Sequence, residues 1–520
     1  MLAFLVYLPT LFNGFVYDDT SVIIENPWIK DAGSIKDIFL TSAWSFKDAG
    51  EASTNYYRPM LHLFLMGGYH IFGLSATGFH MVNLIVHCLN TVLVFLIAAF
   101  VLSGVPASAV ADDKSTSGFG ERKVFRAAHA SGVSILWPFL AALIFMLHPV
   151  NSEPVNWLSS LSDLQFALFT LASFYLYVRS RISWRDPCFL ASLALFFAAL
   201  LSKETAMALI PMIVLYGYFF RTQGAPPYTG VGRFTRYIPF ILIALFYLVM
   251  RSYSFSFIAI EKKLDLTLYE SMLAALPLLS AYFGKLLFPL SLNALYPYHH
   301  ISSVLDIRVV LSILVLFGFF LLLILTWKSR VIPFLLFWIV VPLLPVLYIP
   351  VLTAAPFAER YLYLSTAGFA ILYSYSLRSL FYRYGKTGTG GERTIIAVTL
   401  LIFTSVVLLF YLIKVESRIY VWRSDLALWS DTVKKSPQSS TAHFNLGWAY
   451  QRDHDNNKAV KSYHESIRLG PTAVDAHYNL GQIYMKEGRY LEASKEFGIV
   501  MKIDPGYKLV KKFMERAKRR

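Results

Sequence analysis

About eleven runs of apolar residues dominate this chain, and they leave it few folds. They lie near 1–16, 78–102, 133–149, 160–178, 187–202, 205–220, 237–251, 306–326, 331–349, 361–380 and 394–414. A helix needs about 20 apolar residues to cross the hydrocarbon core of a bilayer. Inside hydrocarbon a backbone must satisfy its own hydrogen bonds, so such runs fold as helices. Composition agrees: 56% of the 520 residues are hydrophobic and 15% are charged, against about 25% charged in soluble domains. The fold class is therefore all-α, a polytopic membrane protein with about eleven transmembrane helices. Segment 56–73 (YYRPMLHLFLMGGYHIFG) is apolar but short, and Arg58, His62 and His70 interrupt it. It reads as an interfacial or re-entrant helix. Segment 270–290 reads as non-spanning; a full span there would invert everything after it.

Charge orients the chain. The net charge of +15 fits basic loops on the cytoplasmic side better than a nucleic-acid surface. With the N-terminus in the cytoplasm, the inside loops hold sixteen basic residues, among them Lys114, Arg122, Arg181, Arg233, Lys328 and Arg383. The short outside loops hold five: Lys203, Arg251, Lys262, Lys263 and Arg360. An odd number of spans then places 415–520 outside, in the periplasm or the ER lumen, together with the long loops 17–77 and 253–305. The first run lacks a basic n-region and a small-residue cleavage site, so it is expected to stay as an anchor. Cys88 and Cys188 both fall in apolar segments and suggest neither a disulfide framework nor a metal site.

The tail changes character at about Lys414, becoming polar and periodic. Asn445-Leu446-Gly447 recurs as Asn479-Leu480-Gly481, and Pro437, Pro471 and Pro505 are spaced by 34 residues. A period of 34 with Leu-Gly and a closing Pro is the tetratricopeptide pattern. Two repeats occupy 438–505, with a half-repeat and linker at 415–437 and a basic capping helix at 506–520. Gly447 and Gly481 are expected where paired helices pack too closely for a larger side chain, and Pro471 and Pro505 where second helices end.

Ionisable residues gather at the outer ends of apolar runs. Asp18 and Asp19 follow the first run, and Arg58 lies in YYRP. His148, Glu153 and Asp163 fall in HPVNSEPVNWLSSLSD, Lys203-Glu204 in SKET, and Glu359-Arg360 in AERYLYLSTAG. Snorkelling accounts for basic residues such as Arg251, but poorly for Glu153, Glu204 and Glu359. Ionisable residues at a membrane default to function, so one outward site mixing acids with Arg and Lys is the better reading. A carboxylate can deprotonate an attacking hydroxyl, and cations can steady a phosphate leaving group. At a membrane that combination fits glycosyl transfer from a lipid phosphate. A proton-coupled transporter would also use such groups, yet it calls for inverted halves, and no matching pair is visible. No H-E-x-x-H or C-x-x-C pattern is present, so a protein-held zinc site is not expected; a divalent metal on the acidic pair has no support.

The ordered set FVYDD, YYRPMLHLFLMGGYHIFG, HPVNSEPVNWLSSLSDL, SKET and AERYLYLSTAGF, followed by tetratricopeptides, resembles the transmembrane and tetratricopeptide-repeat containing (TMTC-type) O-mannosyltransferases and their bacterial relatives. The resemblance covers essentially the whole chain. It implies a glycosyltransferase-C transmembrane domain over 1–414 with its active site on the outer face. It implies a polyprenyl-phosphate sugar as co-substrate, no certain cofactor, inversion at the anomeric carbon, and an acceptor protein held by the repeats. Asp18 and Asp19 match the acidic catalytic motif, with Asp18 favoured as base. Arg58 and Arg360 match the donor-phosphate cations, and His148, Glu153, Asp163, Lys203, Glu204 and Glu359 are supporting. One departure stands out: Ser160-Leu161 replaces the Gly-Arg usual in the family. The expected location is a bacterial inner membrane with periplasmic repeats, or otherwise the ER membrane with lumenal repeats. A membrane-anchored tetratricopeptide scaffold without enzymatic activity is the alternative function.

Overall fold

The computed structural model describes residues 2–47, 56–103, 135–180, 183–220, 235–254, 266–348, 356–387, 390–507, 510 and 513. The basic loop around Lys114–Arg126, residues Arg181, Arg221, Arg233, Lys262 and Lys263, and most of the expected capping helix at 506–520 lie outside these residues. The described residues form helices and turns without strands, as an all-α fold requires.

Among the described residues five helices are long and apolar enough to cross a membrane: Ala76–Leu102, Leu158–Arg179, Thr235–Ser254, Ile307–Leu325 and Thr394–Val421. Other apolar runs fold as the shorter helices Leu2–Phe12, Leu136–Leu147, Pro187–Ser202, Glu204–Phe220 and Val331–Leu347. The described residues of this multi-pass membrane protein thus hold five full-length candidates where the sequence suggested about eleven spans. Prolines explain much of the shortening, because the ring removes a donor and breaks the α ladder. Pro9 sits in the 3-10 turn Leu8–Phe12, Pro149 opens another after Leu147, and Pro342 and Pro345 lie within Val341–Leu347. Segment 56–73 contains the 14-residue helix Pro59–Phe72, too short to span. Segment 270–290 contains the 20-residue helix Leu268–Leu287, opened by a capping box between Thr267 and Glu270; it is not among the five.

The chain divides into two compact units, 1–13 with 18–292 and 299–419, and 14–17 with 293–298 and 420–520. The division falls a few residues beyond the expected change at Lys414. In the first unit Leu161–Arg179 packs against Pro187–Ser202, and Ala76–Ser103 against Leu136–Leu147. Phe174, Trp338 and Phe334 form an aromatic core, with the Phe174 and Trp338 centroids 4.8 Å apart. Buried amides cross-link helices: Asn90 donates to the Leu164 carbonyl at 3.0 Å. Ile307–Leu325 and Thr394–Val421 bury little of their own surface, as helices facing lipid do.

The second unit contains the antiparallel pairs Ser440–Arg452 with Asn456–Leu469 and Val474–Lys486 with Tyr490–Ile503. A Cβ on Gly447 would stand 2.7 Å from the Tyr463 ring, and one on Gly481 2.7 Å from Phe497. Those contacts are why the two glycines recur. The second helices end at Leu469 and Ile503, two residues before Pro471 and Pro505. Asp425–Lys435 packs on Ser440–Arg452. In the same unit the Tyr17 amide donates to Asp425 at 2.7 Å and its ring meets Trp429 edge-on. Tyr17 has φ 55°, the left-handed region that non-glycine residues seldom adopt.

Candidate functional site

The two aspartates after the first run have different surroundings. Asp19 is fully buried. Its carboxylate accepts from the Ser159 amide at 2.8 Å and the Ser159 hydroxyl at 2.6 Å. It makes no side-chain cap to the short helix Thr20–Ile24, so its role is a tie across 140 residues rather than a cap. Asp18 is half-buried and accepts no hydrogen bond on its carboxylate among the described residues. Burial pushes its carboxyl up to about 6, against the opposing pull of Arg360 and Lys47. Lys47 donates to Ser21 at 2.6 Å and lies 5.0 Å from the Trp44 ring.

Beyond Asp18 the cations and acids interleave. Arg360 donates to Glu153 from Nη1 at 2.7 Å and from its backbone amide at 3.2 Å. Its guanidinium stands 5.0 Å from the rings of both Trp157 and Tyr361. Lys203 donates to Asp163 at 2.5 Å and sits 4.6 Å over the other ring partner, Tyr361. Arg58 donates to Ser162 at 3.3 Å, lies 4.0 Å from Glu204, and covers the Tyr56 ring at 4.3 Å. Arg58 is therefore held loosely while Lys203 is held tightly. Electrostatic contact between Arg58, Lys203, Arg360 and Asp163 closes the group.

The local fold explains the convergence. Arg58 precedes Pro59 at the start of a helix, Lys203 follows the last residue of Pro187–Ser202, and Arg360 lies in the 3-10 turn Glu359–Leu362. Each sits where a helix ends and a side chain can reach beyond the apolar layer.

Seven of the ten candidate residues thus meet in one cluster: Asp18, Arg58, Glu153, Asp163, Lys203, Glu204 and Arg360. Asp19 anchors its edge through Ser159. Glu359 turns elsewhere, accepting from Arg418 at 3.2 Å in a buried pair. His148 donates from Nε2 to the Leu286 carbonyl at 3.0 Å and packs on Phe369 and Tyr411. The imidazole is fully buried, and these contacts place it in the packing of the helices and not in the cluster. Position 161 holds a buried leucine, while Ser160 donates to Asp163 at 3.1 Å. Among the described residues no group of three or more His, Cys, Asp or Glu could hold a metal ion.

Sequence reasoning missed Lys47, Ser159, Tyr361, Trp157 and Arg418. Arg418 had a signal, a cation near the end of a long apolar helix. Tyr361 and Trp157 lay inside the singled-out motifs. Ser159 lay inside the same motif as Trp157, and Lys47 carried no signal.

Fold and cluster together define a polytopic helical membrane protein with a charged site at its helix ends and tetratricopeptide repeats. A family model described as TPR repeat matches residues 455–505. The chain is 23% identical over 88% of its length to protein O-mannosyl-transferase TMTC3 of Homo sapiens, covering 49% of that protein. It is 23% identical over 90% of its length to protein O-mannosyl-transferase F38B6.6 of Caenorhabditis elegans, covering 61%. It is 29% identical over 40% of its length to protein O-mannosyl-transferase Tmtc1 of Drosophila melanogaster, covering 20%. The resemblance read from the motifs therefore extends over nearly the whole chain, and the chain spans at most 61% of the length of these three relatives.

Proposed function

We propose that this protein is a membrane glycosyltransferase that moves a hexose, mannose or another, from a polyprenyl-phosphate donor to a hydroxyl of an acceptor protein. The observation that carries the reading is the contrast within the acidic pair. Asp19 is occupied as a tether, whereas Asp18 keeps an uncommitted, partly accessible carboxylate whose pKa is raised toward neutrality. A general base works best when its pKa lies near the working pH. Asp18 takes the proton from the acceptor hydroxyl as the new O–C1 bond forms. The bond from C1 to the phosphate oxygen breaks, and polyprenyl phosphate leaves with the electron pair. Arg58 and Arg360 stabilise the charge gathering on that phosphate. A single in-line displacement inverts the anomeric centre. Lys203 and Asp163 neutralise each other behind Tyr361 and hold the ring between the cations.

The resemblance and the basic-residue bias support an outward-facing site, in a bacterial inner membrane with periplasmic repeats, or at the ER lumen. The repeats bind acceptor, since stacked helical repeats build concave binding surfaces. The test is transfer of a labelled sugar from polyprenyl-phosphate hexose in proteoliposomes. Asp18→Asn is expected to lower transfer by about 10²–10⁴-fold, the usual worth of a general base. Wild-type transfer by Asp18→Asn would overturn the reading and leave the scaffold role, in which only the repeats matter.

A further inference from the structure

Four buried polar atoms make no hydrogen bond among the described residues: Arg58 Nε, Glu204 Oε2, Thr205 Oγ1 and Tyr247 OH. They come from three separate elements. Arg58 begins the helix Pro59–Phe72, Glu204 and Thr205 open the 3-10 turn Glu204–Ala208, and Tyr247 lies on Ile238–Ser254. Arg58, Glu204 and Tyr247 nevertheless lie close together, and Thr205 follows Glu204 in the chain. Tyr247 is in electrostatic contact with both Glu204 and Arg58, and its ring centroid is 6.0 Å from that of Tyr57, the residue before Arg58. Tyr247 is fully buried and Thr205 is 5% exposed. Buried polar groups are nearly always paired, so four orphans gathered at one cation point to a ligand that completes them.

Their chemistry selects the ligand. Arg58 Nε only donates, the Glu204 carboxylate only accepts, and the Thr205 and Tyr247 hydroxyls do both. A phosphate only accepts, and Glu204 repels it. An isoprenoid chain offers no polar group at all. A polyol matches, because each sugar hydroxyl donates and accepts. We propose that Glu204, Thr205 and Tyr247 form the subsite for the hydroxyls of the donor's sugar, beside the phosphate cation Arg58. This rests on the transferase reading and adds to it the residues that recognise the sugar ring.

Binding of two lipids to the full chain in nanodiscs tests it: polyprenyl-phosphate hexose and polyprenyl phosphate without sugar. The wild type is expected to prefer the first by about tenfold or more, one to two good hydrogen bonds' worth. Tyr247→Phe and Thr205→Val should each lose about tenfold on the sugar-bearing lipid and nothing on the bare one. Melting should not fall, because each removes a hydroxyl left unpaired among the described residues. A wild type that does not distinguish the two lipids, or variants that weaken both equally or neither, would overturn the subsite. Sugar discrimination without any transfer would instead remove the transferase reading and keep the subsite. Transfer undiminished in both variants would do the reverse.

Discussion

Asp18→Asn should exchange activity for stability, and pH separates the two effects. The carboxyl is raised from 3.8 to about 6, chiefly by burial. Each pKa unit is worth about 1.4 kcal/mol, so an ionised Asp18 destabilises the neutral-pH fold by on the order of 2–3 kcal/mol. The folded state binds this proton more tightly than the unfolded chain does. The stabilisation is therefore complete below the unfolded value near 4 and is lost as pH rises through about 6. Asparagine keeps the shape without the charge. The variant should melt above the wild type at about pH 8, with a margin that shrinks through pH 6 and closes near pH 4. In the proposed transfer, activity runs the other way, because Asp18 acting as base must be ionised. Wild-type kcat/KM should rise with pH through a midpoint of about 6, standing about tenfold below its plateau at pH 5. Lys47→Met should move that midpoint up, since Lys47 holds the Asp18 carboxyl down. Tryptophan-fluorescence melting in detergent and sugar transfer in proteoliposomes read the two arms. An Asp18→Asn protein that melts below the wild type at about pH 8 would refute the argument, as would a pH profile flat through 6.

Two further outcomes follow from packing. Breaking the buried Arg418–Glu359 pair on one side should cost about 3–5 kcal/mol. Arg418→Met with Glu359→Gln together should restore much of that in thermal melts, and a double variant worse than either single would exclude a direct pair. Gly481→Ala, whose Cβ would stand 2.7 Å from the buried Phe497 ring, should destabilise the repeats by about 1–3 kcal/mol. Hydrogen exchange over 474–503 in the full chain measures it, and unchanged protection would contradict the close approach.

Elements set by local pattern were legible in the sequence. The period of 34 located both helix pairs and their tight glycines, because each repeat encodes its own packing. The apolar runs located helices but not their length, since prolines such as Pro149 and Pro345 convert run ends into 3-10 turns. The candidate site was legible as a set and not as a set of pairs. Arg360 stands next to Glu359, yet it pairs with Glu153, 207 residues away, while Glu359 pairs with Arg418. Charge type and helix-end position are local properties; partner choice is decided by tertiary packing. Tyr247 was invisible because a single tyrosine in an apolar stretch has no pattern to mark it.

The stretch Ser159–Asp163 touches three parts of the cluster within five residues. Ser159 holds Asp19, Ser162 meets Arg58, and Asp163 holds Lys203. It works as a jig, fixing the spacing between Asp19 and the cations Arg58 and Lys203 by contacts at 159, 162 and 163. Leu161 lies in this jig but carries none of those contacts. A cation at position 161 would leave those three contacts in place, but because the site is buried it would need an acidic partner of its own, so charge there is tied to local packing.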